Sequence, residues 1–109
     1  MRIDEYLETL PGNVLSGEDV QLPEKSLRSI FKFVGLKKDD IFYHLGCGDE
    51  KGIEIAVKEF QVEKAVGIDN NCKKIENAKK NLEEEQIQAE LRCQDVLDSD
   101  ISDATVILF

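Results

Sequence analysis

Apolar positions recur along the chain with two spacings. Leu27, Ile30, Phe31 and Val34 fall at i, i+3, i+4 and i+7, which predicts a helix with one apolar face. Pro23 suits its first turn, where the missing N–H costs nothing, and Gly35 is placed to close it. After the turn KKDD, the run IFYHLG (41 to 46) predicts a first strand. DEKGIEIAVKEF predicts a second helix, with Ile53, Ala56, Val57 and Phe60 on one face. KAVGID (64 to 69) predicts a second short strand. NNCKKIENAKKNLEEEQI predicts a third helix that turns Ile75, Ala78 and Leu82 inward and is capped by Asn70 or Asn71. AELRCQD alternates Ala89, Leu91 and Cys93, as a half-buried strand does, and ATVILF (104 to 109) predicts a fully buried one. Upstream, Ile3, Tyr6, Leu7 and Leu10 share one side of a short helix that Pro11 and Gly12 stop, and NVLSGEDVQL reads as an irregular arm.

Strands that alternate with helices imply parallel pairing and right-handed crossovers. The chain of 109 residues suits one domain, with residues 1–22 as lead-in helix and arm and residues 23–109 as an α/β unit. Ligands of such sheets bind beyond the carboxyl ends of the strands.

Three strand ends meet there. The first ends in HLGCGDE, the second in Asp69, and the third leads into Asp95. Gly46 and Gly48 allow a sharp turn and a close approach of backbone to ligand. Asp69 lies 23 residues after Gly46, near the spacing of an acid that accepts from ribose hydroxyls. Asp95 sits where it could accept from an adenine amino group. Together these describe a pocket for an adenosine-containing molecule. A dinucleotide fingerprint fails because Lys51 stands at the sixth position from Gly46, which disfavours a nicotinamide dehydrogenase, and no P-loop is present. Asp49 and Glu50 beside the helix start would repel a pyrophosphate. A ligand without phosphate, such as S-adenosylmethionine, fits better.

Net charge narrows the partners. The chain carries 14 Lys and Arg against 23 Asp and Glu, a balance of −9, and shows no basic stripe for nucleic acid. Asp95, Asp98, Asp100 and Asp103 read as loop solvation and caps before they read as a lure for a basic tail. No apolar run approaches a membrane span, and the N-terminus lacks the apolar core of a signal peptide. Three widely spaced cysteines, Cys47, Cys72 and Cys93, argue against a disulfide framework and for a reducing, cytoplasmic compartment. Without a CxxC pair, no metal site is expected.

The stretches HLGCGDEKGIEIA, VGIDNN, AKKNL and CQDVLDSDISDATVILF resemble the class I S-adenosylmethionine-dependent methyltransferases, most closely the archaeal Dot1-like protein-lysine methyltransferases. The resemblance runs from about Leu22 to Phe109. It implies a Rossmann-like parallel sheet with helices on both faces, strand order 3-2-1-4, as the front half of that fold. It also implies roles around S-adenosylmethionine. Gly46 and Gly48, with Cys47 between them, would pass under its methionine part, with Asp49 and Glu50 completing the turn. Asp69 would bind the ribose, Asn70 would lie next to the adenine, and Asp95 and Val96 would line its edge. Two positions depart: His44 stands where the family carries an acid that helps hold the cofactor's amino group, and Glu50 stands where it carries a glycine.

Two functions stay open on these residues. One is a methyltransferase domain, of the protein-lysine type by resemblance, with a basic protein as substrate. The other is a methyltransferase-like module that binds or dimerises without catalysis. No acceptor-side or catalytic residue can be named, because the family's substrate-side groups follow strand four. A buried strand at the end of this sequence leaves an edge for pairing, so either a homodimer through strand four or a longer parent chain whose remaining half covers that edge is expected.

Overall fold

A computed structural model describes residues 22–109. The expected helix in the first ten residues and most of the arm lie outside the described residues. The remaining elements follow in the expected order: α1 (Glu24–Val34), β1 (Ile41–Leu45), α2 (Lys51–Lys58), β2 (Lys64–Asp69), α3 (Cys72–Glu84), β3 (Glu90–Cys93), a 3-10 turn (Val96–Asp98) and β4 (Val106–Leu108).

Helix ends follow from local chemistry. Pro23 precedes α1, and Gly35 (φ 72°) ends it in the left-handed region. There the Gly35 amide donates to the Lys32 carbonyl and the Leu36 amide to the Phe31 carbonyl, which satisfies carbonyls the helix leaves open. Asn71 caps α3: its side-chain oxygen accepts from the Lys74 amide at 3.1 Å. The same paired closure ends α3, but on Gln86 at φ 58°, with Ile87 donating to Leu82.

All four strands are parallel, in the order β3-β2-β1-β4. Side chains alternate across the pleat, so β1 splits its residues between two cores. Phe42 joins Leu27 and Phe31 of α1, Ile53 and Ala56 of α2, and Ile75, Ala78 and Leu82 of α3. Phe31 meets Phe42 edge to face, with ring centroids 5.1 Å apart. On the opposite face Tyr43 and Leu45 pack with Val66, Ile68 and Ile101. Gly67 lets β2 lie close under the first core: a Cβ there would sit 2.7 Å from a Leu91 methyl and 3.1 Å from the Cys47 sulfur.

A polar knot around the buried Asp40 ties β1 to β4 at the end of the sheet away from the glycine turn. The Thr105 hydroxyl donates to Asp40 at 2.9 Å, the Asp40 carboxylate also accepts from the Lys37 amide at 2.9 Å, and the Ile41 amide donates to Thr105 at 2.8 Å. Above it, Tyr43 reaches out of the second core to donate its hydroxyl to Asp103, which also pairs with Lys64.

Two expectations need correction. Val106, Ile107 and Leu108 are half-buried, not fully buried, because β4 is an edge strand that pairs with β1 alone. Cys72 and Cys93 form a disulfide, with Cα atoms 5.2 Å apart. Their separation of 21 residues hides this, because the parallel register that sets Asp69 beside Cys93 brings the start of α3 to the end of β3. The compartment argument from unpaired cysteines therefore loses its basis.

Candidate functional site

The turn after β1 is shaped by two glycines in the left-handed region, Gly46 at φ 69° and Gly48 at φ 63°. It is drawn onto β2, because the amides of Gly46 and Cys47 both donate to the Ile68 carbonyl, at 2.7 and 3.2 Å. Asp69 then locks it. One carboxylate oxygen accepts from the Gly48 amide at 2.8 Å and the other from the Asn71 amide at 2.8 Å. A single buried acid thus sets the glycine turn and the start of α3 against one another. Each of its oxygens keeps a second lone pair, which a ligand hydroxyl could use.

The neighbouring strand end is organised in the same manner. Gln94 follows β3 with its amide on the Asp69 carbonyl, at 3.0 Å. Asp95 accepts from the Leu97 amide at 2.9 Å and starts the 3-10 turn, while Ser99, fully buried, donates to the Asp95 carbonyl. Asn70 is exposed beside these residues, with its carbonyl 4.0 Å from the Cys93 sulfur. Val96 is half-buried against the second core.

The glycine turn itself divides its residues. Gly46 is exposed, and a Cβ built on it would meet nothing within 4 Å, so space lies open above the turn. Cys47 points the other way, into the first core, and burial pushes its thiol up to about 12. It can offer a ligand backbone groups, not a thiolate. Asp49 accepts from the Lys51 amide at 3.0 Å. Glu50 reaches away across the surface to α3, where its carboxylate accepts from Asn81 at 2.9 Å. Those two acids and α3 line a polar cleft of about 340 Å³ on that outer side.

His44 is the departure with the largest physical consequence. It faces the first core with Phe42 and is 8% exposed. Burial lowers its pKa to about 4, against the pull of the Asp49 and Asp69 carboxylates, so the imidazole is neutral at neutral pH. Its Nδ1 is buried and has no hydrogen-bond partner among the described residues. With Gly46, Asp49, Gly52, Leu22 and Phe109 it lines a cavity of about 30 Å³ beside the turn.

The strand ends thus bring His44, Gly46, Gly48, Asp49 and Asp69 together, set Asn70, Asp95 and Val96 along the adjoining edge, and turn the side chains of Cys47 and Glu50 elsewhere. Open space over Gly46, free lone pairs on Asp69 and an unpartnered buried nitrogen fit a polar adenosyl ligand. Sequence reading did not foresee the packing of Gly52, in the first turn of α2, against His44, nor the role of Asn81, which holds Glu50. Neither carries a sequence signal, because each acts through a residue distant in the chain. Among the described residues, no group of three or more His, Cys, Asp or Glu side chains is placed to hold a metal, and no helix is long and apolar enough to cross a membrane.

No protein-family profile matches the chain. A protein-lysine N-methyltransferase of Saccharolobus islandicus is 39% identical over 90 residues, which cover 81% of this chain and 56% of that protein. An RNA methyltransferase of Salinibacter ruber, solved in complex with S-adenosyl-L-homocysteine, superposes with a TM-score of 0.77 at 28% identity, over 81% of this chain and 58% of the other. An S-adenosylmethionine-dependent methyltransferase of Clostridium acetobutylicum shares the fold alone, with a TM-score of 0.58 at 20% identity over 92% of this chain and 39% of the other. The chain therefore spans a little over half the length of the first two. Its four parallel strands, in the order 3-2-1-4, carry part of the Rossmann-like fold of the class I S-adenosylmethionine-dependent methyltransferases.

Proposed function

We propose that this chain is the cofactor-binding part of an S-adenosylmethionine-dependent methyltransferase that acts on protein lysine, within the archaeal Dot1-like group. The carrying observation is Asp69, a buried acid at the end of β2 whose two oxygens fix both adjoining turns and keep lone pairs for ribose hydroxyls. Bound there, the cofactor would supply an electrophilic methyl group on a sulfonium. The chain's own task is then alignment rather than proton transfer. Asp69 orients the ribose, the Gly46–Gly48 backbone supports the chain leading to sulfur, and Asn70, Asp95 and Val96 border the base. Outward placement of Glu50 leaves this path clear, which counts against an inactive scaffold.

Lysine as acceptor is supported by the 39% identical relative and by the net charge of −9, which suits a basic polypeptide and repels an RNA backbone. The half-buried β4 edge suits pairing with a second copy of this chain.

Isothermal titration with S-adenosylmethionine and S-adenosylhomocysteine tests the cofactor reading. Gly46→Asn is the informative variant, since asparagine tolerates the left-handed turn and fills the open space above it. Micromolar binding that this variant loses while staying folded supports the reading, and no heat from the folded wild type at millimolar ligand refutes it. Label transfer to lysine-rich peptides, with RNA as the comparison, tests the acceptor.

A further inference from the structure

A covalent link crosses the end of the sheet beside Asp69. Cys72 opens α3 and Cys93 closes β3, and their disulfide holds the two Cα atoms 5.2 Å apart. The ladder between β2 and β3 runs out at the same level, since its last register pair is Asp69 beside Cys93. Past that pair the chain leaves in two lips. One, Asn70 and Asn71, leads into α3; the other, Gln94 and Asp95, leads into the 3-10 turn. The Gln94 amide reaches back to the Asp69 carbonyl at 3.0 Å, and the Cys93 sulfur lies 4.0 Å from the Asn70 carbonyl. The hydrogen bonds of Asp95 with Leu97 and Ser99 stay within its own lip. The bridge therefore ties the Asn70 side to the Asp95 side, two residues from each.

Its surroundings suit exchange. Both cysteines are exposed, so a reductant reaches them without opening a core. Cys72 is the first residue of a 13-residue helix, whose positive end stabilises a thiolate. It is therefore the sulfur that leaves when a thiolate attacks Cys93. Cys47 is buried in the first core and cannot compete.

We propose that Cys72 and Cys93 form a thiol–disulfide exchange site that sets cofactor affinity, firm when oxidised and loosened when a dithiol reduces it. This rests on the cofactor reading given above, in which Asn70, Asp95 and Val96 border the base. In the exchange, a reductant thiolate bonds to the Cys93 sulfur, the protein S–S bond breaks, and Cys72 leaves as a thiolate that takes up a proton. The second reductant thiol attacks the mixed disulfide and releases Cys93, which is protonated in turn. Two electrons pass to the protein, and the dithiol departs as its own disulfide. With the bridge open, ordering the two lips around the base costs affinity that the oxidised chain does not lose.

Thiol counts and calorimetry test this on the whole 109-residue chain. The oxidised, folded protein should show no reactive thiol. After millimolar dithiothreitol it should show two, with Cys47 silent and the circular dichroism still that of a folded chain. S-adenosylhomocysteine should bind the reduced chain about tenfold more weakly than the oxidised one, and reoxidation should restore the affinity. The double variant Cys72→Ser, Cys93→Ser should bind as the reduced chain does and ignore dithiothreitol.

Equal affinity in the two redox states, or tighter binding on reduction, overturns the proposal and leaves the cofactor reading standing. A bridge that resists dithiothreitol while the chain stays folded overturns it as well. So does a reduced chain that unfolds, since the disulfide is then a structural staple. A folded chain that binds the ligand in neither state overturns both this proposal and the cofactor reading.

Discussion

Burial of a neutral imidazole has a thermodynamic signature that needs no ligand. His44 titrates at about 4 in the folded chain against 6.5 when exposed, with desolvation as the main cause. Between those two values the unfolded chain binds a proton that the folded chain refuses. Stability is then present in full above 6.5 and falls as pH drops toward 4. Integrated from pH 7 to pH 5, the loss assigned to this residue is about 2 kcal/mol. That is a large share of the margin of a small domain. Carboxylates titrate near the lower end of this window, so the comparison must be made against a variant. His44→Gln removes the titrating group and leaves the carboxylates in place. Urea unfolding of both proteins at pH 7 and pH 5, followed by circular dichroism, measures the difference. Wild type should lose about 2 kcal/mol more than His44→Gln over that interval. Equal losses in the two proteins would refute the argument that His44 is held neutral by burial.

Other consequences are read by the same unfolding assay. Reduction of Cys72–Cys93, or Cys93→Ser, should lower stability by about 3 kcal/mol, because the bridge spans 21 residues of the unfolded chain; no response to reductant would show the thiols unpaired. Gly67→Ala should cost about 2 kcal/mol, since the new methyl would press on Leu91 and Cys47; Leu91→Val should cost less in that background than in wild type. Gln86→Gly should stabilise by about 1 kcal/mol by relieving a left-handed backbone at the end of α3, and a neutral or negative effect would count against strain there.

Much of the architecture was legible in the sequence because it is carried by local periodicity. The spacing of Leu27, Ile30 and Phe31, or of Ile75, Ala78 and Leu82, selects one helix face whatever the rest of the chain does. The run IFYHL between a polar turn and a glycine turn marks a buried strand for the same reason. Parallel order follows from the alternation of these elements, and the meeting of Gly46, Asp69 and Asp95 at one end of the sheet follows from that order. Where periodicity is weak, the reading slipped. ATVILF reads as fully buried from its apolar run, but burial depends on neighbours, and β4 has one strand partner. Cys93 alternates with Leu91 yet is exposed at the strand's end, where it meets Cys72.

The sequence by itself determined which segments are helix and strand, how they alternate, and which end of the sheet gathers glycines and acids. Tertiary structure alone decided the pairings among residues distant in the chain. Register between β2 and β3 brought Cys72 to Cys93, approach of α3 to the glycine turn drew Glu50 to Asn81, and the seat of α2 on β1 set Gly52 against His44. Each is a contact whose partner lies on another element, and hydrophobic spacing along one element carries no information about what will face it.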